Sequence, residues 1–159
     1  MIMRYFFTCL LSGFLFTTAV FAQEPVELRL ELTVEISGKD KGDATLFCAH
    51  AADDPESRTI GLMFQENLPE LGGMIFDFQE TDIVHMWMRN TILPLDMIFI
   101  SDAGKIVKIA KNTKPFSLEI ISSDVPARGV LEINAGIADK YGLQVGDSVV
   151  VSATKCTLP

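Results

Sequence analysis

The chain of 159 residues is poor in histidine and cysteine, and its serines and carboxylates show no diagnostic catalytic spacing. It holds two histidines, His50 and His85, and one tryptophan, Trp87. It contains no Gly-x-Ser-x-Gly, no Walker loop and no zincin helix. Histidine-based chemistry therefore has two candidates at most. Cysteine is scarce as well: Cys9, Cys48 and Cys156, with no Cys-x-x-Cys pair, so a thioredoxin-like redox motif is excluded. Basic residues are outnumbered, 13 Lys and Arg against 21 Asp and Glu, for a formal net charge of −8. No basic cluster offsets that deficit. An acidic surface repels phosphate backbones and anionic lipid, which argues against nucleic acid or a membrane surface as partner. The chain also lacks internal repeats, low-complexity tracts and, beyond its first twenty-odd residues, any apolar run of membrane-spanning length. Nothing in the residues calls for a cofactor.

What is present begins at the N-terminus. Arg4 is the only charged residue before Glu24, and Tyr5 to Val20 is an apolar run with no charge. Val20-Phe21-Ala22 then offers small residues at the positions a signal peptidase reads. This pattern is a secretory signal peptide over residues 1–22. It leaves residues 23–159 as a single β domain in the periplasm or outside the cell. An uncleaved membrane anchor is the alternative, because the run approaches the ~17–25 residues a spanning helix needs. Cys9 has no lipobox-like Leu-Ala-Gly before it and is not read as a lipidation site. The signal carries Arg4 and no acid, so cleavage leaves the mature chain one unit more negative. After cleavage the domain carries no expectation of membrane contact. In an oxidising compartment Cys48 and Cys156 are expected to form a disulfide. Two buried free thiols are the alternative.

Hydropathy alternates without error over residues 26–36, the period of a half-buried strand. Further strands are expected over 44–49, 74–78, 83–88, 117–121, 129–133 and 148–153. The clearest hairpin joins 95–101 to 105–111 through Asp102-Ala103-Gly104. Asp53-Asp54-Pro55-Glu56 starts a short helix that Gly61 ends. A second helical turn or two spans 135–141, closed by Gly142. Eight to nine short strands with one or two short helices predict a mostly β fold, a compact β sandwich or barrel. Strands do not alternate with long helices, so a doubly wound sheet is not expected.

Three constellations could carry chemistry. On a strand, His85, Trp87 and Arg89 share one face and Met86 and Met88 the other. Trp87 beside Arg89 and Asn90 could form a recognition patch, an aromatic platform with forked donors. A core strand ending in a salt bridge is the preferred reading of this segment alone, because aromatics mostly serve cores. Met63, Met74, Met86, Met88 and Met97 crowd the central third. Soft ligands suit copper(I), so His85, Met86 and Met88 are weighed as a copper or redox site, with the cysteine pair beside them. Methionine also fills irregular cores, which is the preferred reading. Asp96, Glu132 and Asn134 could line a polar cleft with Arg89, or serve only to cap turns and pair with it. The two carboxylates could be a general acid–base pair if the fold brings them within about 5–10 Å.

The chain resembles the prokaryotic family called domain of unknown function 192. The resemblance rests on several stretches in order. They are Arg58-Thr59-Ile60-Gly61-Leu62-Met63-Phe64; Gly73-Met74-Ile75-Phe76-Asp77-Phe78; Trp87-Met88-Arg89-Asn90-Thr91-Ile92-Leu93-Pro94-Leu95-Asp96; Leu131-Glu132-Ile133-Asn134-Ala135-Gly136; and Gly146-Asp147. They cover about residues 44–151. Arg58, which opens the first stretch, joins the binding candidates. Met86 stands where the family usually has an aromatic, and Arg89 replaces a frequent Lys. The resemblance implies a compact β fold, often behind a signal peptide, and no established activity. The leading expectation is a non-enzymatic exported module that binds a small ligand or an envelope protein. The alternatives are a hydrolase-like enzyme using Asp96 and Glu132 near Arg89, and a copper(I) or redox helper.

Overall fold

The computed structural model describes residues 25–38 and 42–156. The expected signal peptide, 1–22, lies outside the described residues. Seven strands form one sheet: β1 (Leu32–Ser37), β2 (Thr45–Ala52), β3 (Gly72–Met86), β4 (Leu95–Ile100), β5 (Ile106–Ala110), β6 (Ile121–Asn134) and β7 (Ser148–Ser152). Two short helices complete the fold, α1 (Pro55–Ile60) between β2 and β3, and α2 (Ile137–Lys140) between β6 and β7. The strand order is β5-β4-β6-β3-β2-β1-β7. Only β2 and β3 run parallel, because α1 and the following loop carry the chain back across the sheet between them. The sheet curls into a half-barrel. Its outer strands meet where Lys105 bridges Ser148, with Ile106 N–H donating to Asp147 O at 3.0 Å and Val149 N–H to Gly104 O at 2.8 Å.

The central strands are covered on both faces, and side chains alternate between two cores. Ile75, Ile98, Ile100, Leu131 and Ile133 face inward, against Val34, Ile36, Phe47 and α2. Met74, Phe76, Leu95, Met97, Phe99 and Val130 face outward, against Leu62, Val84 and Met88. Double coverage explains why β4 is buried at every position. Met74, Met88 and Met97 fill the outer core, the packing role preferred for the central methionines.

The mostly β expectation holds, with seven strands where eight or nine were expected. Residues 74–78 and 83–88 belong largely to one long strand, β3, which is bulged between Asp77 and Asp82. The expected strand over 117–121 is irregular until Ile121, where β6 begins and runs on through 129–133. The expected disulfide is present: Cys48 in β2 is bonded to Cys156, 108 residues away, with the Cα atoms 5.4 Å apart.

Candidate functional site

Beyond the bulge, β3 and β6 leave the main sheet as a two-stranded ribbon, paired from Asp82↔Ala127 to Met86↔Ile121. A second register break sits between Ile83 and His85. The Ser123 hydroxyl mends it, accepting from Val84 N–H at 2.9 Å and donating to Val125 O at 2.6 Å. The ribbon delivers His85 and Met86, then the chain turns through residues 87–91. Neighbouring loops hold that turn by backbone hydrogen bonds. Met88 N–H donates to Ser117 O, Phe64 N–H to Asn90 O, and Phe116 N–H to Thr91 O. Phe64, Asn90 and Phe116 all have positive φ, at 62°, 54° and 61°. Left-handed backbone at a phenylalanine is disfavoured, and such strain concentrates around functional sites.

Helix α1 closes the other side. Asp54 caps it, accepting from Glu56 and Ser57 N–H, while Ser57 completes the capping box. One turn later Arg58 lies across the sheet. Its Nη1 donates to the carbonyls of Asp53 and Asp77 at 2.7 and 2.9 Å. Its guanidinium carbon is 6.0 Å from the Phe78 ring centre. Both oxygens are neutral, so these two bonds orient Arg58 without cancelling its charge, which also helps hold the pKa of the exposed Asp54 down.

Between these elements lies a cavity of about 90 Å³, reached by Arg58, Phe76, Phe78, His85, Met86, Trp87, Arg89 and Glu132, among others. Trp87 is 45% exposed. Arg89 stacks on it, guanidinium carbon 5.6 Å from the ring centre, and has no carboxylate partner among the described residues. The expected salt bridge is thus replaced by a cation–π contact. Glu132 comes up from β6, on the outward face between Met74 and Met97 of the flanking strands. It is only 4% exposed. It has no hydrogen bond or ion pair among the described residues. Every fully enclosed side-chain polar atom there does have a partner. The Glu132 carboxyl is therefore open at its tip, to the cavity. Burial pushes its pKa up to about 8.

Of the residues proposed from sequence, Arg58, Trp87, Arg89 and Glu132 converge. His85 and Met86, weighed as metal ligands, line the same cavity. Met88 does not; its sulfur accepts from the Thr113 hydroxyl at 3.1 Å in the core. Asn90 makes the turn, and its amide contacts Met63 Sδ at 3.9 Å. Asn134 latches a loop, donating to the carbonyls of Leu68 and Pro69 at 3.0 Å.

Asp96 is a correction. It was expected to share a polar cleft with Glu132 and Arg89. In the β4–β6 ladder Glu132 is opposite Met97, not Asp96. One residue out of phase puts the two carboxyls on opposite faces of the sheet. Asp96 is wholly buried on the inner side. It accepts from Asn112 N–H at 2.8 Å and Ala138 N–H at 2.9 Å, pinning α2 to the sheet. The acid–base pair of Asp96 and Glu132 is withdrawn. Sequence reasoning missed Phe76, Phe78 and Thr91 as lining residues. It also gave Glu132 a polar face. The signal for burial was present: Glu132 stands alone in the apolar run Val130-Leu131-Glu132-Ile133.

The model of the DUF192 family, described as Uncharacterized ACR, COG1430, matches residues 36–151. No curated protein matches the chain. Two solved structures are similar. One, from Sinorhizobium meliloti 1021, is a protein named provisionally as a transcription regulator. It is 36% identical, with a TM-score of 0.75, and the match covers 83% of this chain and 99% of that one. The other, a protein of unknown function from Novosphingobium aromaticivorans DSM 12444, is 34% identical, with a TM-score of 0.71, covering 74% and 83%.

Proposed function

We propose that this chain, which belongs to the DUF192 family, is an exported binding module whose cleft between α1, the β3–β6 ribbon and β6 takes a small ligand. One observation carries this reading. A buried carboxyl faces a cavity whose lining includes two guanidiniums, and among the described residues neither the carboxyl nor the guanidiniums has an ion-pair partner. Leaving a carboxyl buried and unmatched opposes folding, and a ligand that supplies the missing partner offsets that cost. The aromatic and thioether walls supply contact area, and the few polar groups supply orientation, the usual division in ligand sites. Export follows from the reading of residues 1–22, and the Cys48–Cys156 bond suits an oxidising compartment. The net charge of −8 does not favour nucleic acid as the partner.

Trp87 is the only tryptophan and lies at the cleft, so its fluorescence reports occupancy directly. Titrating the mature protein with a panel of small polar metabolites is expected to give ligands that change Trp87 emission and raise the melting temperature. Arg89→Ala is expected to weaken the same ligands by at least tenfold. A panel with no hits, or hits indifferent to Arg89, overturns the reading.

A second reading is enzymatic. A carboxyl held near 8 is suited to proton transfer at neutral pH, and His85 lines the same cavity. It predicts that ligands from the panel are converted to product, and that Glu132→Gln abolishes conversion while binding persists.

A further inference from the structure

We propose that the cleft recognises an amphoteric molecule of the amino-acid type, its amine against Glu132 and its carboxylate against Arg89 and Arg58. This rests on the reading of the cleft as a small-molecule site and names the ligand class. A plain anion seated deeply would meet the Glu132 carboxyl, which offers it a single O–H donor while protonated and repels it once ionised. A plain cation would meet Arg89 and Arg58, neither of them ion-paired among the described residues, in a protein that is otherwise strongly acidic. A molecule with donors at one end and a carboxylate at the other satisfies both.

The walls fit the segment between the two ends. Leu62, Met63, Phe76 and Phe78 are apolar, and they suit a methylene spacer. A cavity of about 90 Å³ admits a handful of non-hydrogen atoms and little branching. At the anionic end, a guanidinium presents paired donors that match a carboxylate in two parallel hydrogen bonds. The Trp87 ring under Arg89 restricts where that fork can swing. Arg58, held through Nη1 by two carbonyls, keeps its remaining N–H groups for a ligand oxygen.

At the buried end, binding has a proton signature. Near pH 7 the free Glu132 is mostly protonated, because burial raises its pKa to about 8. An ammonium ligand docks as carboxylate and ammonium, so the Glu132 proton goes to solvent. Binding at pH 7 should therefore release close to one proton per ligand.

The probes are a series of ω-amino acids from glycine to 8-aminooctanoate, with n-alkylamines and n-alkanoates as the two halves. Calorimetry on the mature protein in two buffers of different ionisation enthalpy reads affinity and proton release together. The expected result is one chain length that binds at least tenfold tighter than either half, with proton release. Glu132→Gln is expected to abolish the release and the preference over alkanoates. Arg89→Gln is expected to abolish the preference over alkylamines while keeping the release. Arg89 is a surface residue, so its variant tests the idea even if Glu132→Gln fails to fold. Alkanoates that bind as tightly as amino acids, or binding without proton release, overturn the amine placement and leave the binding site standing. If the series is silent while other small molecules from the wider panel bind, this inference alone falls. Silence from both the series and the panel removes the binding reading as well.

Discussion

Glu132 and Asp96 are two buried carboxyls on neighbouring strands, and their surroundings give them opposite roles. Asp96 accepts two backbone N–H bonds and fastens α2. Glu132 accepts none among the described residues, and burial raises its pKa from 4.5 to about 8. The folded state then holds a proton that the unfolded chain gives up between those two values. A group whose folded pKa is raised in this way makes stability fall as pH rises through that window, and the fall ends once pH passes the folded value. The size is on the order of 5 kcal/mol for a shift from 4.5 to about 8. Arg58, His85 and Arg89 face the same cavity, so the variant isolates the contribution of Glu132 itself. Asp54, Glu70 and Asp124 have lowered pKa values, held down by hydrogen bonds from Ser57, Lys140 and Lys108 respectively. What they contribute is lost only as pH falls through those lowered values, below the Glu132 window. Denaturant unfolding at pH 6 and pH 9 is therefore expected to show the wild type losing about 3 kcal/mol, the part of the window that lies above pH 6, and Glu132→Gln staying nearly flat. A wild type as flat as the variant would mean that Glu132 finds a partner in solution.

The long pair β3–β6 is the element that builds the site, and glycine lets its strands approach. A Cβ added at Gly73 would lie 2.7 Å from the carbonyl oxygen of Glu132, and one at Gly129 would lie 2.8 Å from that of Phe76. Backbone cannot retreat as a flexible side chain can. Gly73→Ala is expected to cost about 1–3 kcal/mol by overpacking. It should also weaken ligand binding, since the atom displaced belongs to Glu132. Denaturant unfolding and Trp87 fluorescence titration read the two effects, and Gly42→Ala, with nothing within 4 Å, serves as the neutral control. The same pair shows what sequence could convey. Local signals located the β4–β5 hairpin, the capped start of α1 and the last strand, because turns and caps are written in adjacent residues. The fusion of short strands into β3 and β6 was not legible. Polar breaks at Gln79 and at Ser122-Ser123-Asp124 read as strand ends. In the fold they are absorbed by left-handed residues, Gln79 at 64° and Asp124 at 62°, while pairing continues past them. Residues 26–31 show the converse. They alternate between half-buried and exposed, yet no strand forms before Leu32. Period two reports an extended half-covered chain, and ladder partners are a long-range matter. Site residues divided in the same way. Trp87, Arg89 and Arg58 stood out by type and motif, whereas the face of Asp96 depended on a register that only the β4–β6 pairing sets.

For the molecule as a whole, one covalent link ties the segment after the last strand of the half-barrel back to its second strand. β7 is an edge strand paired with β1, and the segment after it reaches back to β2 through Cys156 and Cys48. Thr33 of β1 lies opposite Cys48 and donates from its hydroxyl to Thr154 O at 3.1 Å, so the bond sits where three strands converge. It closes a loop of 108 residues, from β2 to the segment after β7. In the chain-entropy account, tying a loop of that size removes unfolded-state freedom worth about 4–5 kcal/mol. Cys48 and Cys156 border a different cavity from the cleft, one shared with Tyr141 and Lys155. Stability and recognition should therefore separate. The double variant Cys48→Ala, Cys156→Ala is expected to lose about 2–5 kcal/mol in denaturant unfolding. Its Trp87 titration with cleft ligands should stay within twofold of wild type at a temperature where both are folded. Protein recovered from the periplasm should carry the bond, seen as a mobility shift on reduction, and should begin at Gln23 if the proposed signal is cleaved. Recovery in the reduced form would remove the oxidising compartment from the argument. An unchanged unfolding midpoint in the double variant would place the stability of the half-barrel in its two cores instead.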